Sequence, residues 1–152
     1  MSEPTTLFLG PEENLSILKE IFSTRKSSAE EIAKKIGKNK GTVLNAIHDL
    51  RILKLIDANL EIQPEARNIV YDRNAIETIK AKFIEIPGNK EAINEITSSQ
   101  INKPLEIGKI FCFHTNARAT KESSLKQIGR LYNRWLKFLN LFDSKNEVSQ
   151  NE

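Results

Sequence analysis

Residues 28–57 read Ser-Ala-Glu-Glu-Ile-Ala-Lys-Lys-Ile-Gly-Lys-Asn-Lys-Gly-Thr-Val-Leu-Asn-Ala-Ile-His-Asp-Leu-Arg-Ile-Leu-Lys-Leu-Ile-Asp. Ser27-Ser28 followed by Glu30 and Glu31 has the form of a helix start, a capping hydroxyl and then acids at the positive end of the dipole. Ile32, Ala33 and Ile36 give that helix an apolar face. Gly37, which tolerates positive φ, ends it. Asn39 caps the next helix, where Val43, Leu44, Ile47, Leu50 and Leu53 recur at helical spacing around the small Ala46. Residues 54–62 then alternate apolar and polar around Asp57-Ala58-Asn59, the pattern of a short β-hairpin. Upstream, Pro11, Glu12 and Glu13 open a helix carrying Leu15, Leu18, Ile21 and Phe22 on one side.

Helix, helix, turn, helix and hairpin is the order of a winged helix-turn-helix. Residues 11–63 resemble that DNA-binding family of bacterial and archaeal transcription regulators. The matching positions are Ile32, Ala33, Gly37, Asn39, Thr42, Val43, Ile47, Leu50, Leu53, Leu55 and Ile56. The resemblance implies a recognition helix opened by Asn39. It departs at the tip of the hairpin, where Asp57-Ala58-Asn59 holds no basic residue, so the wing is not expected to enter a minor groove.

The second half repeats the outline. Residues 73–86 read as a linking helix broken by Pro87-Gly88, residues 91–96 and 104–113 as two short helices, and residues 120–142 as a long one capped by Thr120 or Ser123. Residues 51–57 also lie over residues 137–143 without a gap. Thr120, Ser123, Ser124, Arg130, Trp135, Leu136, Phe138, Leu139 and Leu141 resemble helix-turn-helix modules of restriction-modification and defence proteins. The expected fold is therefore mostly α, with tandem helix-turn-helix units, the first a winged helix with a short β-hairpin. The expected organisation is 1–63 winged helix-turn-helix, 64–87 linking helices, 88–143 second helix-turn-helix unit, and 144–152 disordered tail.

Charge is distributed unevenly. The 152 residues carry a formal net charge of +3, yet between Lys103 and Lys145 nine basic residues stand against three acidic ones. Residues 1–102 hold 14 basic and 15 acidic. A cationic last third suits an anionic partner, nucleic acid first. No apolar run approaches the ~20 residues of a membrane span, and the N-terminus has no signal-peptide pattern. The lone Cys112 cannot build a disulfide or thiolate zinc site within the chain, and a cytoplasmic location is expected.

Residues near the start of a recognition helix, opposite its apolar stripe, face DNA. In the first unit these are Asn39, Lys40, Thr42, Asn45 and His48. In the second they are Lys121, Ser123, Ser124, Lys126, Gln127, Arg130 and Arg134, with Arg118 in the preceding loop. Lys126, Arg130 and Arg134 follow at i,i+4 steps, stacking three like charges that a polyanion would relieve. Of Tyr132, Trp135, Phe138, Phe142, Phe111 and Phe113, most sit at core rather than base-stacking spacing. His48 and His114 stand outside any ligand cluster, and no nucleophile, phosphate loop or nuclease motif emerges, so no metal, cofactor or catalysis is expected. The reading is a sequence-specific double-stranded DNA-binding module, regulatory or belonging to a restriction-modification or phage-defence system. A homodimer or a larger defence protein is a further possible partner. The alternatives are a dimeric transcription regulator and a winged-helix interaction subunit docking on a nuclease or ATPase.

Overall fold

The computed structural model describes residues 3–24 and 28–142. Ser27, Asp143 and the tail Ser144–Glu152, expected to be disordered, lie outside them. Eight helices follow in order among the described residues: α1 (Pro11–Thr24), α2 (Ala29–Ile36), α3 (Lys40–Ile52), α4 (Pro64–Val70), α5 (Ala75–Glu85), α6 (Asn89–Ser98), α7 (Pro104–His114) and α8 (Glu122–Phe138). They group into two units, one of residues 7–82 and one of residues 1–6 with 83–152, the division falling inside α5 between Lys82 and Phe83.

In the 7–82 unit, α1, α2 and α3 pack against one another and α4 packs on α1. The core holds Ile17, Leu18, Ile32, Val43, Ala46 and Leu50, all almost fully buried. The local signals act as the sequence suggests. Ser28 Oγ accepts from Glu31 N at 3.2 Å, Gly37 takes φ 71°, and Asn39 Oδ1 accepts from Thr42 N at 2.8 Å.

The expected β-hairpin wing does not form. Among the described residues the only pairing is a single antiparallel bridge, Ile56 with Ile62. Local chemistry explains the shortfall. Asp57 Oδ1 accepts from Asn59 N at 2.8 Å and Glu61 N at 3.0 Å, so a side chain closes the loop. Leu60 turns into the left-handed region at φ 63°. Pro64, the first residue of α4, has no N–H to extend a ladder.

In the other unit α6 packs on α7 and α7 on α8. Gly108 and Gly129 let α7 and α8 approach to backbone contact. An added Cβ would overlap the Leu125 carbonyl oxygen in the first case and that of Pro104 in the second. Beside the crossing, the Phe111 and Tyr132 rings stack at 3.9 Å between centroids, and Phe83 stacks on Trp135 at 5.2 Å. Trp135 is 1% exposed, at the centre of the core as its spacing implied. Thr5 N donates to Thr115 O, and the Thr6 and Thr115 hydroxyls meet at 2.6 Å, tying the N-terminal residues to the end of α7.

Three details differ from expectation. Phe113 is 77% exposed on α7, because Phe111 and Cys112 already fill the inward positions. Lys121 stands at the N-cap of α8 with no side-chain cap bond, so neither Thr120 nor Ser123 serves there. The likeness between residues 51–57 and 137–143 is a likeness of helix ends. Lys54 and Asn140 both take left-handed φ, 59° and 55°, after α3 and α8. The bonds Leu55 N to Leu50 O and Leu141 N to Leu136 O complete the same Schellman closure. Asp72 and Gln100 end α4 and α6 in the same way, so this closure is a general device in the chain.

Candidate nucleic-acid interface

The buried stripe of α3 is Val43, Ala46, Ile47 and Leu50, which turns Gly41, Leu44, Asn45 and His48 outward. Leu44, expected in the apolar stripe, is 48% exposed, because Val43, Ala46, Ile47 and Leu50 already fill the buried side of the helix. Asn45 is exposed and available to an adenine edge. Thr42 is half-buried at the start of the face. Asn39 spends its carbonyl oxygen on the cap, leaving its amide hydrogens for an outside acceptor.

Two further candidates are engaged within the protein. Lys40 Nζ pairs with Glu30 Oε1 at 2.9 Å. The Lys40 hydrogen bond, reinforced by its charge, holds the Glu30 carboxyl below the ordinary carboxylate range. His48 Nδ1 lies 3.0 Å from Asp49 Oδ1, and the imidazole stacks on Phe8 at 4.3 Å between centroids. Behind the face, the Arg51 guanidinium donates to Ala58 O at 2.7 Å, tying the end of α3 to the loop that replaces the wing.

In the other unit the inward residues of α8 are Leu125, Gly129, Tyr132, Trp135 and Leu136. The opposite side exposes Lys121, Ser123, Gln127, Arg130 and Arg134, with Ser124 and Lys126 half-buried at its flank. The expected stack of three uncompensated cations is reduced, since Lys126 pairs with Glu122 at 3.4 Å. Arg118 is exposed in the loop before α8. The candidates thus form two sets, one on α3 with its cap and one on α8 with its leading loop, each on its own unit.

Sequence reasoning missed Glu30, Phe8 and Asp49. The Glu30–Lys40 pair bridges two helices at a separation of ten residues, which no single-helix pattern marks. Phe8 precedes the first helix, where no periodicity exists to place it. Asp49 looks like a surface residue by type, yet it is fully buried.

Residues 12–60 match the family model described as the winged helix-turn-helix transcription repressor, HrcA DNA-binding. The match supports a winged helix-turn-helix DNA-binding segment over those residues. The match runs from α1 through α3 to the closed loop. No curated protein and no solved structure matches the chain. No described helix is long and apolar enough to cross a membrane.

Proposed function

We propose that the chain binds double-stranded DNA as a sequence-specific recognition or regulatory module, without a catalytic step of its own. The observation that carries this reading is the capped α2–α3 pair. Its outward face, with Asn45 and His48 beside the Asn39 cap, falls inside the segment that matches a repressor's DNA-binding family. That family favours a regulatory role over one in restriction-modification or defence. The exposed Arg130 and Lys121 of α8, with Arg118, add phosphate contacts from the second unit. Within residues 73–100 the one exposed large apolar side chain is Ile76, so no stripe suited to a docking partner runs along that region.

The test is a salt titration of binding to mixed-sequence duplex DNA. Five to seven phosphate contacts give a slope of about −4 to −6 for log K against log salt, near −0.9 per contact. A second reading, a helix-turn-helix that docks on protein, draws on the exposed Leu44 and Phe8. Absence of duplex binding at low salt overturns the first reading in favour of the second.

A further inference from the structure

We propose that His48 reads one base through Nε2 as a fixed hydrogen-bond acceptor, selecting adenine or cytosine on the strand it faces. This rests on the DNA-binding reading above and names the specificity of one position within it.

The Asp49 carboxylate is fully buried and receives three N–H donors, with the His48 ring as a fourth polar neighbour. Phe8 N at 2.9 Å and the His48 ring at 3.0 Å meet Oδ1; Leu9 N at 2.8 Å and Asn14 Nδ2 at 3.0 Å meet Oδ2. Three of those contacts are N–H groups that can only donate, so the carboxylate acts as acceptor and offers His48 no hydrogen. In the neutral imidazole the hydrogen therefore sits on Nδ1 and the lone pair on Nε2. Among the described residues Nε2 has no hydrogen-bond partner. The His48 side chain is 36% exposed, so that edge is reachable from outside.

The plane of the ring is also set. Phe8 stacks on it with an interplanar angle of 28°, and Phe8 is held by its own amide on the same carboxylate. Asp49 and Phe8 are thus positioning residues: one fixes the tautomer, the other the ring plane. In the major groove adenine N6 and cytosine N4 donate, whereas guanine O6 and N7 and thymine O4 accept. A lone pair aimed into the groove from the outward side of α3 favours the first two and repels the others.

The experiment is selection from a random duplex pool by the full chain at pH 8, where an ordinary histidine is neutral. The parent is expected to enrich one base pair at one position by about fivefold or more. His48→Ala is expected to flatten that position and leave the others. Phe8→Leu keeps the backbone bonds to Asp49 and is expected to weaken the same preference with an unchanged melting temperature. Imidazole nitrogen resonances of the free protein are expected to show a protonated Nδ1 and a bare Nε2. At the position that His48→Ala flattens, undiminished parent binding to a duplex whose adenine or cytosine lacks its exocyclic amino group overturns the proposal, as does a His48→Ala profile equal to the parent's. Either of those results leaves DNA binding standing, whereas a chain that selects no duplex at all overturns both.

Discussion

Gly129→Ala turns the close approach of α7 and α8 into a measurable sign reversal. In a solvent-facing helix interior, glycine to alanine stabilises by about 0.8–1 kcal/mol. At Gly129 the new Cβ would overlap the Pro104 carbonyl oxygen and lie 2.5 Å from its carbon and 2.9 Å from Pro104 Cα. All three atoms are backbone and none can rotate away. Restoring ordinary contact with that carbon requires the helices to part by about 1 Å, which forfeits a quarter to a half of each dispersion contact along the seam. Overpacking of this kind typically costs about 1–3 kcal/mol, and more where backbone must move. Only backbone can yield, so the upper end of that range applies, and set against the propensity gain the expected net loss is about 2 kcal/mol. For a unit of this size that lowers the melting temperature by about 8–16 °C. The assay reads the correct unit by itself, because Trp135 is the sole tryptophan and is buried beside the seam. Alkylation of buried Cys112, whose thiol is pushed up by desolvation, gives a second readout from α7. Gly41→Ala is the control, since its Cβ meets only the Asn39 side-chain oxygen at 3.3 Å. A Gly129→Ala protein that melts at or above the parent refutes the reasoning.

Trp135→Ala removes the largest fully buried side chain and its stack on Phe83. It is expected to cost about 3–5 kcal/mol, and a parental melting curve would remove this residue from the core. Glu30→Gln frees Lys40 and is expected to steepen the salt dependence of duplex binding by about 0.9, if Lys40 then meets a phosphate; an unchanged slope counts against Lys40 as a contact. Because the Glu30 carboxyl is held below its ordinary value of 4.5, the contribution of the pair is present at neutral pH. It is lost as pH falls through that lowered value, and Lys40→Met is expected to move the carboxyl titration back up. Lys54→Gly relieves a left-handed φ of 59° and is expected to stabilise by about 0.5–1 kcal/mol in thermal melting; destabilisation would show that the Lys54 side chain matters more than its backbone.

Helices were legible in the chain wherever a cap and a periodic face agreed, as at Ser28, Gly37 and Asn39. The wing was not, because alternation over three residues cannot show that a carboxylate such as Asp57 will take the loop's amides for itself. Helix ends at Lys54, Asp72, Gln100, Asn116 and Asn140 escaped notice for a different reason. They adopt left-handed φ without glycine, so composition gives no cue. The outward faces of α3 and α8 were legible from the spacing of their apolar residues, and Asn45 and Arg130 are exposed on them. Their electrostatics were not legible, since the acid that pairs with Lys40 comes from α2. Lys126 shows the opposite lesson: its partner Glu122 stood four residues away in plain view, and a count of cations along one face passed over it.

The pairing of Lys40 with Glu30 bears on how such a protein would search a genome. Sequence-independent attraction to DNA grows with each counterion a protein displaces, and it sets the background against which a true site must compete. An α3 face whose leading cation is already engaged contributes little to that background. Chromosomal decoys then hold the winged-helix segment only weakly, so a modest number of correct hydrogen bonds yields a large ratio of site to non-site occupancy. If the chain binds DNA as proposed, residence near it would fall to the cations of α8, which would leave discrimination and retention as separable properties of one chain.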